Sequence, residues 1–122
     1  MAQDHHNLPL VDPADGVRRA GGRPEVATEL FAMLRRDLPA TAAALRSARD
    51  ASDLDALREA AHRLLGAALY CGVPRLREQA REVERLCIEG DAAGALRDLP
   101  ALLETMEAVG RVEDPLAAES PR

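Results

Sequence analysis

The chain contains no lysine and no tryptophan, and its only aromatic side chains are Phe31 and Tyr70. All 16 basic residues are arginines, set against 21 acids, for a net charge of −5. Nucleic-acid binding asks for a basic face, and single-strand binding for stacking rings as well. Neither is available, which sets that class aside. Cysteine is scarce too: Cys71 and Cys87 are the only two. They are too few for a disulfide framework and lack the spacing and histidine partners of a zinc site. They read as reduced thiols of a cytoplasmic protein, each on an apolar stripe where cysteine packs as a small hydrophobe. No apolar run approaches the roughly 18 residues that a membrane span needs. Residues 1–6 have no basic stretch followed by an apolar block, so they do not read as a signal peptide. The adjacent His5 and His6 have no convergent further ligands and read as a solvated pair rather than a metal site. No β-branched or aromatic segment alternates with period two, so no strand is expected.

What is present favours helix. At 122 residues the chain suits one domain with a core of its own, and its alanine, leucine, arginine and glutamate are good helix formers. Residues 1–11 read as a loose, flexible tail. Asp12-Pro13 is a cap followed by a first-turn proline, opening a short helix to about Ala20 that Gly21-Gly22 ends. A long helix follows from Pro24, with Val26, Leu30, Leu34, Leu38, Leu45 and Ala48 at helical spacing. Pro39 should kink or split it. Ser52 with Asp55 reads as a capping-box-like start for the next helix, which runs to Cys71. Pro74 begins a fourth long segment, striped by Leu76, Ala80, Val83 and Cys87 and closed by Gly90. Asp91 caps a fifth, striped by Leu96, Leu99, Leu103 and Met106, with Pro100 expected to kink or split it. The arginines of the fourth segment read as a solvated face paired with Glu78, Glu82 and Glu84. Residues 111–122 read as a disordered tail. Short connections between long amphipathic helices make antiparallel neighbours. The expected fold is therefore all-α: an up-down antiparallel four-helix bundle over residues 12–110, with a short extra N-terminal helix across one end.

One histidine stands out. His62 lies mid-helix, with Gly66 one turn later. Glycine inside a helix costs about 1 kcal/mol against alanine, so it asks for a reason. Position i+4 sits over the same face as the histidine, and glycine leaves that space empty for a partner to approach the imidazole. At about 100° per residue, Leu54, Leu57, Ala61, Leu64, Ala68 and Cys71 form the core face, and His62 points about 130° away from it, toward solvent. Asp55, Arg58, Leu65, Gly66 and Leu69 share its stripe, with Glu59 at the edge. Leucines grouped beside an exposed histidine suggest a docking patch; the alternative is that Leu65 and Leu69 are shoulders of a wide core stripe.

The run His62-Arg63-Leu64-Leu65-Gly66-Ala67-Ala68, continued by Leu69-Tyr70-Cys71-Gly72-Val73-Pro74, resembles the motif of histidine-containing phosphotransfer (HPt) domains. It is most similar to the HPt modules of tripartite hybrid sensor kinases. Leu8-Pro9-Leu10 and Glu29-Leu30-Phe31-Ala32-Met33-Leu34 fit the same pattern. The resemblance implies a phosphocarrier of a two-component phosphorelay rather than an enzyme. His62 would accept a phosphoryl group from a receiver-domain aspartate and pass it to another receiver. It implies receiver domains of hybrid kinases and response regulators as partners and no cofactor or metal on this chain, Mg²⁺ belonging to the receiver alone. Where the family usually has lysine three residues after the histidine, this chain has Leu65. Arg58, and with less weight Arg63, stands in for that charge, Gly66 clears the approach, and Leu65, Leu69, Asp55 and Glu59 form the receiver-docking surface. A monomer without membrane association is expected. Two rival readings are a receiver-docking module without productive transfer, suggested by the missing lysine, and a plain helical adaptor.

Overall fold

In the computed structural model, which describes residues 5–116, five helices account for the ordered structure. They are α1 (Pro13–Arg19), α2 (Pro24–Asp50), α3 (Leu54–Ala68), α4 (Pro74–Ile88) and α5 (Ala92–Gly110). No strand occurs among the described residues. Helices α2 to α5 pack each on the next, and α5 returns to α2, closing a four-helix ring. The short α1 leans on α2. The all-α bundle with an extra N-terminal helix is the architecture expected from the sequence.

Leu45, Leu57, Val73, Leu76, Val83, Leu99, Leu102 and Val109 are fully buried along the bundle axis. Each buried leucine contributes roughly 1.5–3 kcal/mol, whereas the exposed arginine–acid pairs on the surface contribute about 0–1 kcal/mol apiece. The apolar seam, not the ion pairs, holds the bundle together. Along α5 the buried face is Ala95, Leu99, Leu102, Met106 and Val109. Leu99 and Met106 are buried as expected, whereas Leu96 is 39% exposed and Leu103 half-buried, their places in the seam being taken by Ala95 and Leu102.

Helix ends follow their chemistry, with two corrections. The N-cap of α3 is Asp53, not Ser52: Asp53 Oδ1 accepts from the Ala56 N–H at 3.0 Å. Ser52 is instead claimed by the end of α2. It adopts φ +51°, its N–H reaches the Arg49 carbonyl, and the Asp53 N–H reaches Ala48. Gly90 plays the same part after α4, at φ +78°, with matching bonds to Cys87 and from Asp91 to Leu86. This is the left-handed closing motif usually given to glycine. Helix α3 stops at Ala68, three residues short of the expected Cys71.

Neither Pro39 nor Pro100 splits its helix; α2 and α5 run through them. Both prolines are exposed. On a solvent-facing turn, the carbonyl left without its intrahelical donor is open to hydration, and the helix continues.

The segment before α1, expected as a loose tail, is tied to α4. Arg75 donates from Nε to the Leu8 carbonyl and from its backbone N–H to the Pro9 carbonyl. Leu10 and Val11 pack against the core. His5 lies partly buried in a cavity with Gln79, Glu82 and Asp98, unlike the solvated position expected for it. Beyond α5, Arg35 holds the Val112 carbonyl at 2.7 Å, and Pro115 is buried. The outer parts of the two expected tails, residues 1–4 and 117–122, lie outside the described residues.

The turn between α3 and α4 is where α1 docks. Gly72 accepts from the Asp12 N–H at 2.8 Å, and Gly16 packs directly over it. A Cβ on Gly72 would run into the Asp12 carbonyl oxygen and the Gly16 backbone. Arg19 caps the Leu69 carbonyl at 2.9 Å, and Arg77 reaches Asp15 at 3.5 Å. Two backbones in contact cannot yield as a side chain can. Gly72→Ala should therefore destabilise the fold by about 1–3 kcal/mol in urea unfolding. Amide exchange should rise first in α1 and in residues 69–73. A loss below about 0.5 kcal/mol would mean that α1 contributes little.

Candidate functional site

The site is built across α3 and α4. His62 projects from the middle of α3 with its side chain 69% exposed, on the solvent side as expected. Its Nδ1 lies 2.6 Å from Oε2 of Glu84 on α4, a carboxylate whose own side chain is only 15% exposed. An ionised carboxylate can only accept, so in the neutral imidazole this contact puts the proton on Nδ1 and leaves Nε2 as the ring nitrogen with a free lone pair. The imidazole is anchored on one edge and open on the other.

Glu84 was not singled out from sequence as a site residue, having been assigned to the arginines of its own helix. Those arginines find other partners. Arg81 and Arg77 pair with Glu78, and Arg85 pairs with Glu82 and Glu89. Arg75 turns to the segment before α1, and Arg77 also reaches Asp15 of α1. Glu84 is thereby left for His62. One signal was present: His62 and Glu84 stand 22 residues apart, symmetric about Val73 in the α3–α4 turn, so an antiparallel hairpin brings them level.

Arg58 lies one turn before His62, half-buried, and Arg63 is exposed beside it. Among the described arginines, only Arg36, Arg46, Arg58 and Arg63 make neither a hydrogen bond nor an ion pair. Two of those four uncommitted charges therefore flank His62. Arg58 also lies near the buried thiol of Cys87. Burial raises the pKa of that thiol, the Arg58 charge opposes the rise, and the Glu84 charge adds to it. Cys71, deeper in the bundle, is pushed up to about 11 by burial, which leaves it protonated and unreactive at neutral pH.

Gly66 is exposed, and a Cβ built on it would meet nothing within 4 Å. The protein's own packing therefore gives no reason for glycine there. Asp55 and Glu59 are exposed on the same helix. Leu65 departs from its expected place on a docking surface: it is 8% exposed and belongs to the core. Leu69 is half-buried against that core. Helix α3 is packed on two sides, by α2 and α4, so its apolar stripe is wide enough to include Ala60 and Leu65. Both leucines are shoulders of that stripe. Among the described residues, no group of three or more histidine, cysteine, aspartate or glutamate side chains is placed to hold a metal ion. Among the described residues, no helix is long and apolar enough to cross a membrane.

The Hpt domain family model matches residues 29–116. The sensor histidine kinase GacS of Pseudomonas protegens is 41% identical over 113 residues. The sensor protein GacS of Pseudomonas syringae pv. syringae is 40% identical over 114. These matches cover 93% and 91% of this chain but only 12% and 13% of those proteins. The crystal structure of the HPT domain of a sensor hybrid histidine kinase from Shewanella superposes with a TM-score of 0.82. That match covers 98% of this chain and 100% of the other at 22% identity, a likeness of fold. The matched region holds α3, α4, α5 and most of α2, together with His62, Glu84 and Gly66, and the chain belongs to the Hpt domain family.

Proposed function

We propose that this domain is a phosphorelay carrier in which His62 accepts a phosphoryl group from the aspartyl phosphate of one receiver domain and gives it to another. The observation that carries the reading is the anchored, outward-facing imidazole: Nδ1 is engaged by Glu84 at 2.6 Å, and Nε2 is free. The Nε2 lone pair attacks phosphorus, the bond from phosphorus to the aspartyl oxygen breaks, and the receiver recovers its carboxylate. The ring that forms carries positive charge, which Glu84 offsets through Nδ1–H. Transfer onward reverses these steps on a second receiver. Such transfer depends mainly on positioning and on charge around an in-line geometry.

Arg58 is the cation assigned to the phosphoryl oxygens, with Arg63 secondary. Both are uncommitted within the protein, and the lysine usual in the motif is replaced here by the buried Leu65. The carrier needs no cofactor of its own, Mg²⁺ being supplied with the acidic pocket of the receiver. It is turned over stoichiometrically, as a cytoplasmic monomer, and catalyses nothing alone. The same Leu65 favours a second reading, a module that docks receivers without taking their phosphoryl group.

Labelled transfer from phosphorylated receiver domains separates the two readings. Wild type should acquire acid-labile, alkali-stable label and His62→Gln none. Receiver binding without label on wild type would establish the docking-only module. Gly66 supplies an independent check. Gly66→Ala adds a methyl into open space and should stabilise the helix by up to about 1 kcal/mol in thermal unfolding. Transfer from the receiver should slow even so, because the methyl stands in the approach to His62. A variant both more stable and equally fast would remove the access role.

A further inference from the structure

In the four-helix ring the α3–α4 face, which carries His62 and Glu84, lies opposite the α2–α5 face. The α2–α5 face holds an open groove of about 330 Å³. Its floor is apolar, made by Leu38 and Ala42 of α2 and by Leu103 and Met106 of α5. Its rim is basic, with Arg35, Arg46 and Arg111 against one acid, Glu107, among the described residues. In a chain of net charge −5 this is a local positive patch over apolar ground. The arginines have donors to give. Arg46 makes neither a hydrogen bond nor an ion pair. Arg35 spends Nη1 on the Val112 carbonyl and keeps further N–H groups. The pair of Arg111 with Glu107 is open to solvent on both sides and holds weakly. The bond to Val112 puts Arg35 beside Arg111 at one end of the groove. Arg35, Leu38, Ala42 and Arg46 recur at helical spacing, so Arg46 marks the other end, about three turns or 16 Å along α2. Gly110 also lines the groove, and a Cβ built on it would meet nothing within 4 Å. It ends α5 without the left-handed conformation that glycine usually supplies there, so neither packing nor helix closure requires it.

We infer that the α2–α5 groove seats an acidic amphipathic helix of a protein partner, on the face opposite the phosphoacceptor. The partner helix lays an apolar stripe on the floor between α2 and α5. Its carboxylates, about three turns apart, reach Arg46 at one end and Arg35 with Arg111 at the other. Charge complementarity selects this occupant. A basic helix would meet like charge at both ends. A small anion would reach one end only and leave the apolar floor uncovered. Gly110 keeps the end near Arg111 open for the partner backbone. The inference does not rest on the phosphotransfer reading, since no residue of the groove touches His62. A domain held by this groove still presents His62 to a receiver on its other side.

The probe is a synthetic helical peptide with leucines on one stripe and glutamates about three turns apart at its edges. A second peptide carries lysine in place of each glutamate. Nitrogen-15 NMR titration of the full chain should show amide shifts confined to residues 35–46 and 103–111 with the acidic peptide, and no binding of the basic one. Two variants at exposed positions follow. Arg46→Glu should weaken the acidic peptide about tenfold or more and bring in the basic one. Gly110→Leu should weaken the acidic peptide without admitting the basic one. Absence of acidic-peptide binding to wild type, or equal binding of both peptides, would overturn the inference. Shifts centred on residues 58–66 would overturn its location. A wild-type dimer in sedimentation that Arg46→Glu dissolves would put a second copy in the groove and overturn the partner assignment. Receiver-dependent labelling of His62 should proceed at its usual rate with the acidic peptide bound. A slowed rate would overturn the separation of the two faces. Absence of labelling with or without peptide would count against the phosphotransfer reading and leave the groove standing.

Discussion

The contact between His62 Nδ1 and Glu84 Oε2 is the interaction on which the functional reading depends. It joins α3 to α4 at the surface, fixes which ring nitrogen carries the proton, and turns the other outward. An exposed histidine without such a partner would sample both tautomers and several rotamers. Held at 2.6 Å by a largely buried carboxylate, the ring presents one nucleophilic atom in one direction. The bundle serves this contact. The turn around Gly72 sets the register of α3 against α4, and α1 is docked on that turn through backbone contact and the Arg19 and Arg77 bonds.

The surface around the imidazole divides its tasks. Gly66 keeps space open that the protein itself does not use. Arg58 and Arg63 stay uncommitted in a chain whose other arginines are mostly occupied. The buried Leu65 contributes to the core at the position where the family motif usually carries a lysine. Under the proposed transfer, charge for the phosphoryl oxygens would come from neighbouring turns of the helix rather than from the motif position.

Much of this was legible in the sequence. Pro13, Pro24 and Pro74 mark helix starts, Asp91 caps as expected, and Gly90 ends α4 in the left-handed conformation. His62 and Gly66 stand out by the mid-helix glycine one turn after the histidine, their roles come from the resemblance to the HPt motif, and His62 faces solvent as helical periodicity required. What was missed depends on contacts between helices. Ser52 and Asp53 are both competent caps, and only the closing hydrogen bonds of α2 decide between them. Leu65 looks peripheral on an isolated helical wheel, but α4 covers that side of α3 and buries it. Glu84 could be assigned to any of several arginines until the hairpin register set it opposite His62. The polar pairings of α4 are of similar local strength, so tertiary geometry chooses among them.

The central claim is that Glu84 holds the proton on Nδ1 and reserves Nε2 for phosphorus. Nitrogen-15 NMR of the imidazole before and after phosphorylation tests it most directly. The account requires the Nδ1–H tautomer in the free protein and phosphorus coupled to Nε2 in the phosphorylated one, with Glu84→Ala losing the tautomer preference. Phosphorus on Nδ1, or a tautomer ratio unchanged in Glu84→Ala, would contradict it.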